Sequence, residues 1–465
     1  MTRSRPISVV LTGHWLSLLG TILVTTAGFL WLFALPAQAR GHVDNPYTGI
    51  VLFLILPALF FAGLLMIPIG AALGRRRIAA GIGDAAPDRA AAVRKLALFL
   101  GVTTAANVVI GSQLSYRAVE HMETTQFCGQ SCHVMTPEFR AHAVAPHSKV
   151  ACVACHVSPG ATGWVQSKIN GTRQLYQVAT DSFPRPIPAG LASGRLVASA
   201  ETCESCHARE PGRSIRVRAI PKHADDEAST PSWTVLTMKV GGGKLGGIHG
   251  AHLGKDAVIR FATTDETRQT IPWVEVTRAG ASAVTYAVKG VDAAALPKHT
   301  MQCVDCHNRP AHTFERPERA VDRALVLGDL PASLPFMKKR AVELLRATYA
   351  DEAAARAGIA TGLKESFASA PQADVAKAAE TLSAIWARNV FPDLKVTWGT
   401  YPNNLGHEDD PGCFRCHDGE HETADGAASI GQDCATCHEA IAIEEASPEI
   451  LTTLGLADLV SKPGT

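Results

Sequence analysis

Residues 128–156 read CGQSCHVMTPEFRAHAVAPHSKVACVACH, and two cysteine pairs, each closed by a histidine, fall within this stretch. Cys128 and Cys132 precede His133, and Cys152 and Cys155 precede His156. The pattern returns at Cys203 and Cys206 before His207, and at Cys303 and Cys306 before His307. It appears twice more, at Cys413 and Cys416 before His417 and at Cys434 and Cys437 before His438. All 12 cysteines are used. A disulfide framework does not need the adjacent histidine, and structural zinc sites pair two such elements without it. Cys-x-x-Cys-His is instead the attachment signal for c-type haem. The thiols bond the porphyrin and the histidine is aimed at the iron, so one short run supplies anchorage and an axial ligand; ligand type and burial then set the potential. The expectation is six covalently attached haem c groups.

Each iron has a second axial position. Outside the motifs, His121, His142, His147, His223, His249, His252, His299, His312, His407 and His421 lie on the same side of the chain as the motifs. Among them His147, His312, His407 and His421, with His249 or His252, are the expected sixth ligands. The first motif differs, having three intervening residues and Met135 two positions past its histidine, so its axial ligation stays open.

Upstream, residues 15–35 are almost wholly apolar and about as long as a membrane-crossing helix. Residues 47–73 form a longer apolar run in which Pro57 and Pro68 are tolerable kinks. Residues 96–114 are less apolar but of similar length. Arg3 and Arg5 precede the first span, and Arg75, Arg76, Arg77, Arg89, Arg94 and Lys95 fall between the second and third. Basic residues stay cytoplasmic, so three crossings place everything after residue 114 outside a bacterial inner membrane, on its periplasmic side. A competing reading makes the first span a signal peptide cleaved near Ala37-Gln38-Ala39. The motif region lands on the same side either way.

A formal net charge of +1 gives no electrostatic reason to expect nucleic acid as a partner. The expected fold is a multihaem c-type cytochrome with little regular structure around the haems, transmembrane α-helices at the N-terminus, a small β-rich insertion and an α-helical linker. The membrane domain takes residues 1–114, haems one to three 115–210, the β-rich insertion 211–298 and haem four 299–315. The helical linker takes 316–392, haems five and six 393–442, and a tail 443–465. The insertion rests on SIRVRAI, SWTVLTMKV, AVIRFATT, PWVEVTR and AVTYAVKG, short β-branched or alternating runs. The linker rests on helical periodicity from Pro317 to Asn389. The glycines Gly241 to Gly243 lack the following helix signature of a phosphate loop and read as a plain loop.

CGQSCHVM followed by APHSKVACVACHVSPG resembles the NapC/NirT family of membrane-anchored cytochromes c. The likeness continues through GIHGAHL, DETRQTIPWVEV, CVDCHNRPAHTF and WGTYPNNLGHEDDPGCFRCHDGEH, as in the longer multihaem members. It implies that menaquinol or ubiquinol is oxidised at a haem near the membrane and that electrons pass to a periplasmic redox protein or reductase. It also implies Met135 as an iron ligand, with His133 free of the iron, and Lys168 beside the quinol. Relatives place an acid about two turns later, where this chain has Gln174 and Leu175, so Gln174 is expected to hydrogen-bond a quinol oxygen while Asp181 or water takes the proton. The three spans exceed the family's usual number. Quinol dehydrogenase activity follows from this likeness. The alternatives are an electron-wire subunit of a larger respiratory complex, which the extra spans suit, and a terminal multihaem reductase. No Cys-x-x-Cys-Lys variant marks a catalytic haem. The intact mass of the purified protein should exceed that of the polypeptide by six haem groups, and a bare polypeptide mass would refute the motif reading.

Overall fold

The computed structural model describes residues 14–39, 55–80, 119–131, 133–188, 197–207, 215–241 and 246–456, with scattered positions between 90 and 117. It divides into two units, Met1–Glu123 and Thr124–Thr465.

In the first unit, α1 (Trp15–Ala39) and α2 (Leu56–Ala79) run antiparallel. Small residues let their backbones touch. A Cβ on Gly20 would lie 2.8 Å from the Gly63 carbonyl oxygen, and one on Gly70 would lie 2.3 Å from the Ser17 nitrogen. Apolar helices in lipid gain packing from such close approaches. Leu56–Arg77 is long and apolar enough to cross a membrane, whereas Trp15–Phe29 is a shorter apolar stretch. Of the three expected spans, one therefore meets the length among the described residues. The third, 96–114, lies outside them apart from Leu98 and Gln113.

In the second unit the haem motifs sit on single turns, such as Val153–His156, Cys303–Cys306 and Cys434–Cys437. Among them run α3 (Thr136–Ala143), α4 (Gly160–Ala179) and α5 (Gly247–Leu253). The alternating runs form β1 (Arg216–His223), β2 (Pro231–Met238), β3 (Ala257–Ala262), β4 (Trp273–Arg278) and β5 (Val284–Val288), followed by β6 (Lys298–Thr300). Near the C-terminus come β7 (His421–Glu422) and β8 (His438–Glu445). They assemble into two antiparallel sheets, β1-β2-β8 and β6-β3-β4-β5-β7. Trp233 and Val235 of β2 bury against Ala442 of β8 and Leu451. The β-rich stretch is thus not a free-standing insertion. The exposed hydrogen-bonding edges of β2 and β5 need partners, and strands from the last two motif segments supply them.

The main core is helical, as periodicity from Pro317 onward predicts. It is built from α6 (Pro317–Val326), α7 (Met337–Arg346), α8 (Glu352–Ser366) and α9 (Gln372–Asn389). Leu325, Leu345, Ile359, Leu363, Leu382 and Trp386 are buried together, each aliphatic one contributing about 1.5–3 kcal/mol. Asp351 caps α8 by accepting the Ala354 N–H.

One buried polar group ties this core to sheet one. The Asp322 carboxylate accepts the Lys338 ammonium at 2.6 Å and the His223 backbone N–H at 2.9 Å, with His223 Nδ1 at 3.2 Å. Removing one member of a buried ion pair strands the other charge. Asp322→Ala should therefore cost about 3–5 kcal/mol, read as a fall in the denaturant midpoint of the helical signal.

Candidate haem-iron sites

Among the described residues, five of the six motif histidines each face a second imidazole. Ring centres lie 6.1 Å apart for His156 and His312, 6.0 Å for His147 and His207, and 6.2 Å for His249 and His307. The spacing is 5.8 Å for His252 and His417 and 6.1 Å for His407 and His438. A metal–imidazole bond of about 2 Å on each side, with roughly 1 Å from nitrogen to ring centre, sets two axial ligands about 6 Å apart. The pairs thus have the separation that bis-histidine ligation of one iron requires.

Hydrogen bonds aim these rings. Nδ1 of His147 donates to the Pro310 carbonyl at 3.1 Å, and Nδ1 of His312 donates to the Glu138 carbonyl at 3.1 Å. Nδ1 of His252 donates to the Ile248 carbonyl at 2.7 Å and Nδ1 of His417 to that of Gly431 at 3.1 Å. A proton held on Nδ1 leaves the Nε2 lone pair for a metal. Burial lowers the pKa of His156, His249, His252 and His307, and takes His312 down to about 4. Neutral imidazole is the ligating form.

The chain segments supplying the facing rings come from elsewhere in the sequence. His147 lies between motifs one and two but faces motif three, and His312 lies past motif four but faces motif two. His249 and His252 sit one turn apart on α5 and face motifs four and five. Two glycines seat this helix, of which Gly241 belongs to the run that reads only as a loop in the sequence. Gly241 and Gly247 have φ of +44° and +77°, and a Cβ on Gly247 would lie 2.6 Å from the Lys239 carbonyl oxygen. The Ile248 and His249 N–H groups donate to the carbonyls of Lys239 and Val240, and Lys239 N–H donates to Cys437 at 2.8 Å.

The motifs neighbour one another in chain order. The Cys152 thiol is hydrogen-bonded with Cys128, which draws it down to about 6. Cys155 lies within electrostatic reach of Cys203 and Cys206, and Cys303 within reach of Cys203. Burial pushes Cys306 up to about 11 and Cys416 up to about 12, each near the other's motif, and Cys437 lies near Cys413. Motifs four and five are also clamped through Arg415, one of the two variable residues of motif five. Its guanidinium donates to the carbonyls of Gly412, Arg268 and Asp305 at 2.6–2.8 Å.

Two expectations change. His421 is buried, with Nδ1 at 2.8 Å from the Asp418 carboxylate and Nε2 at 2.7 Å from the Ile271 carbonyl oxygen. Both nitrogens are engaged and neither is left for an iron. Gln174 is separated from Lys168 by six residues of α4, about 120° around the helix axis, so the two do not share a side. Lys168 Nζ lies 5.3 Å from the Trp164 ring centre, and Asp181 pairs with Arg185.

The first motif stands apart from the others. His133 is exposed, while Met135 is half-buried against an apolar cluster that includes Val134, Leu394, Val396 and Tyr401. Close by, burial raises the pKa of Glu138, whose Oε2 has no hydrogen-bond partner among the described residues, and Arg309 lies 4.1 Å over the Tyr401 ring. An acid in a short helix that also carries Arg140 and His142 shows no local sign of burial, so the sequence does not flag it.

Cysteine pairs on single turns, with imidazoles facing each other across the width of an iron, define an electron-carrying multihaem cytochrome of the c type. Residues 90–230 match the N-terminal region of the NapC/NirT cytochrome c family. The chain is also 36% identical over 449 residues to the cytochrome c-type protein ImcH of Geobacter sulfurreducens, covering 92% of this chain and 87% of that protein. The chain belongs to the NapC/NirT cytochrome c family, whose members are membrane-anchored and work with the quinone pool and redox partners. No solved structure matches it.

Proposed function

We propose that this chain is a hexahaem quinol dehydrogenase of the bacterial cytoplasmic membrane. It takes electrons from menaquinol or ubiquinol at the first site and relays them along the motif series to a periplasmic redox protein or reductase. The five facing imidazole pairs carry this reading. When bound, haem c supplies one-electron chemistry at each site. His156 with His312, His207 with His147, His307 with His249, His417 with His252 and His438 with His407 would hold sites two to six. Two strong imidazole ligands leave no open position for a small substrate, which favours relay over terminal reduction. Met135 would serve site one, where His133 turns to solvent.

Lys168 is the residue proposed to meet the quinol. It offers an ammonium that donates hydrogen bonds to a quinol oxygen and stabilises negative charge as the hydroxyl loses its proton. It stands on α4, a few residues past the second motif. The basic run Arg75, Arg76 and Arg77 at the end of α2 supports a cytoplasmic position there.

Ligation and quinol handling separate experimentally. His252→Ala should convert one low-spin iron to high spin by electron paramagnetic resonance, while His421→Ala should leave all low-spin signals in place. The reverse result would reassign the fifth pair. Reduced quinol analogue mixed with the purified protein should reduce it rapidly, and Lys168→Ala should lower that rate by about tenfold or more, the loss of roughly 1.4 kcal/mol or more of stabilisation. A Lys168→Ala protein reduced as fast as the parent would favour the electron-wire reading instead.

A further inference from the structure

The helix α4 carries its amphipathicity inside out. Placed at 100° per residue, Trp164, Val165, Ile169, Leu175 and Tyr176 fall within an arc of about 140°, with Lys168 and Thr172 inside it. These five apolar side chains are 39%, 48%, 60%, 65% and 68% exposed. The opposite arc is mostly polar; Ser167, Asn170 and Gln177 on it are half-buried, beside Val178, which packs on the cluster of Val134, Leu394, Val396 and Tyr401. No residue of α4 is fully buried. A helix lying on a water-soluble domain does the reverse, turning its apolar stripe inward and its polar side to solvent.

Charge and aromatic content say what covers the exposed arc. From Gly160 to Ala179 there is no Asp or Glu, while Lys168 and Arg173 are basic. Trp and Tyr, whose rings are apolar with a polar edge, collect at membrane–water interfaces. A lysine standing in an apolar arc lays its stem along that surface and lifts its ammonium to the headgroups. The same chain has in α2 a helix long and apolar enough to enter a bilayer, so lipid is a medium this protein meets. At 20 residues with polar and apolar sides, α4 has the make-up of a helix that lies in an interface.

We propose that α4 is a membrane-surface helix, its arc of Trp164, Val165, Ile169, Leu175 and Tyr176 set among acyl chains and Lys168 and Arg173 reaching anionic lipid phosphates. The proposal concerns the whole arc and holds whether or not Lys168 handles quinol.

The test uses full-length holoprotein in nanodiscs of anionic lipid doped with a phospholipid bearing a diazirine in its acyl chain. After photolysis, peptides are mapped by mass spectrometry. Val165, Ile169 and Tyr176 should carry adducts at about ten times the yield on Asn170 and Gln177, as one-sided burial of an interfacial helix requires. Ile169→Glu, checked for an unchanged haem spectrum, should lower α4 labelling several-fold while labelling of α2 stays constant. Adducts confined to the membrane helices would overturn the proposal and assign the arc to a protein partner or a porphyrin face. Equal yields around α4, or α4 labelling untouched in Ile169→Glu, would overturn it as well.

Discussion

An imidazole offers a metal one nitrogen only when the other has a proton and somewhere to put it. In the second unit this is arranged repeatedly with backbone carbonyls: Pro310 for His147, Glu138 for His312, Ile248 for His252 and Gly431 for His417. A carbonyl of the main chain is a rigid acceptor that does not titrate. It fixes tautomer and ring direction together, and burial keeps His252 and His312 neutral, the form in which Nε2 is free for a metal.

This requirement accounts for the way the chain interleaves. A motif supplies both thioether anchors and one ring from a single turn, but the facing ring must approach from the opposite side, which a neighbouring residue in sequence cannot reach. His312 therefore returns to motif two from beyond motif four, and α5 inserts two rings between motifs four and five. Arg415 draws the fourth and fifth motifs together by binding three carbonyls. The helices from Pro317 to Asn389 bring an apolar core of conventional kind, and the Asp322 group fastens it to β1.

How much of this was legible depended on distance along the chain. Motifs are written in five or six consecutive residues, strands β1 to β5 in alternation, and α6 to α9 in helical periodicity, all local signals. Pairings are not local. Nothing around His147 says that it meets His207 rather than its nearer neighbour His156, and nothing around His421 shows that both its nitrogens are already engaged. Lys168 and Gln174 were drawn from a family likeness, which transfers residue types but not the helical angle between them. The glycines before α5 read as a loop because a positive φ leaves no trace in polarity.

The closure of both sheets by the last strands has a consequence for how the molecule is made. β2 lacks one neighbour until residues 438–445 are available, and β5 lacks one until residues 421–422 are. Synthesis delivers these segments last. The earlier cysteine turns therefore form on a chain whose scaffold is still open. Closure of both sheets waits on the C-terminal segment, which acts as the latch of the finished domain.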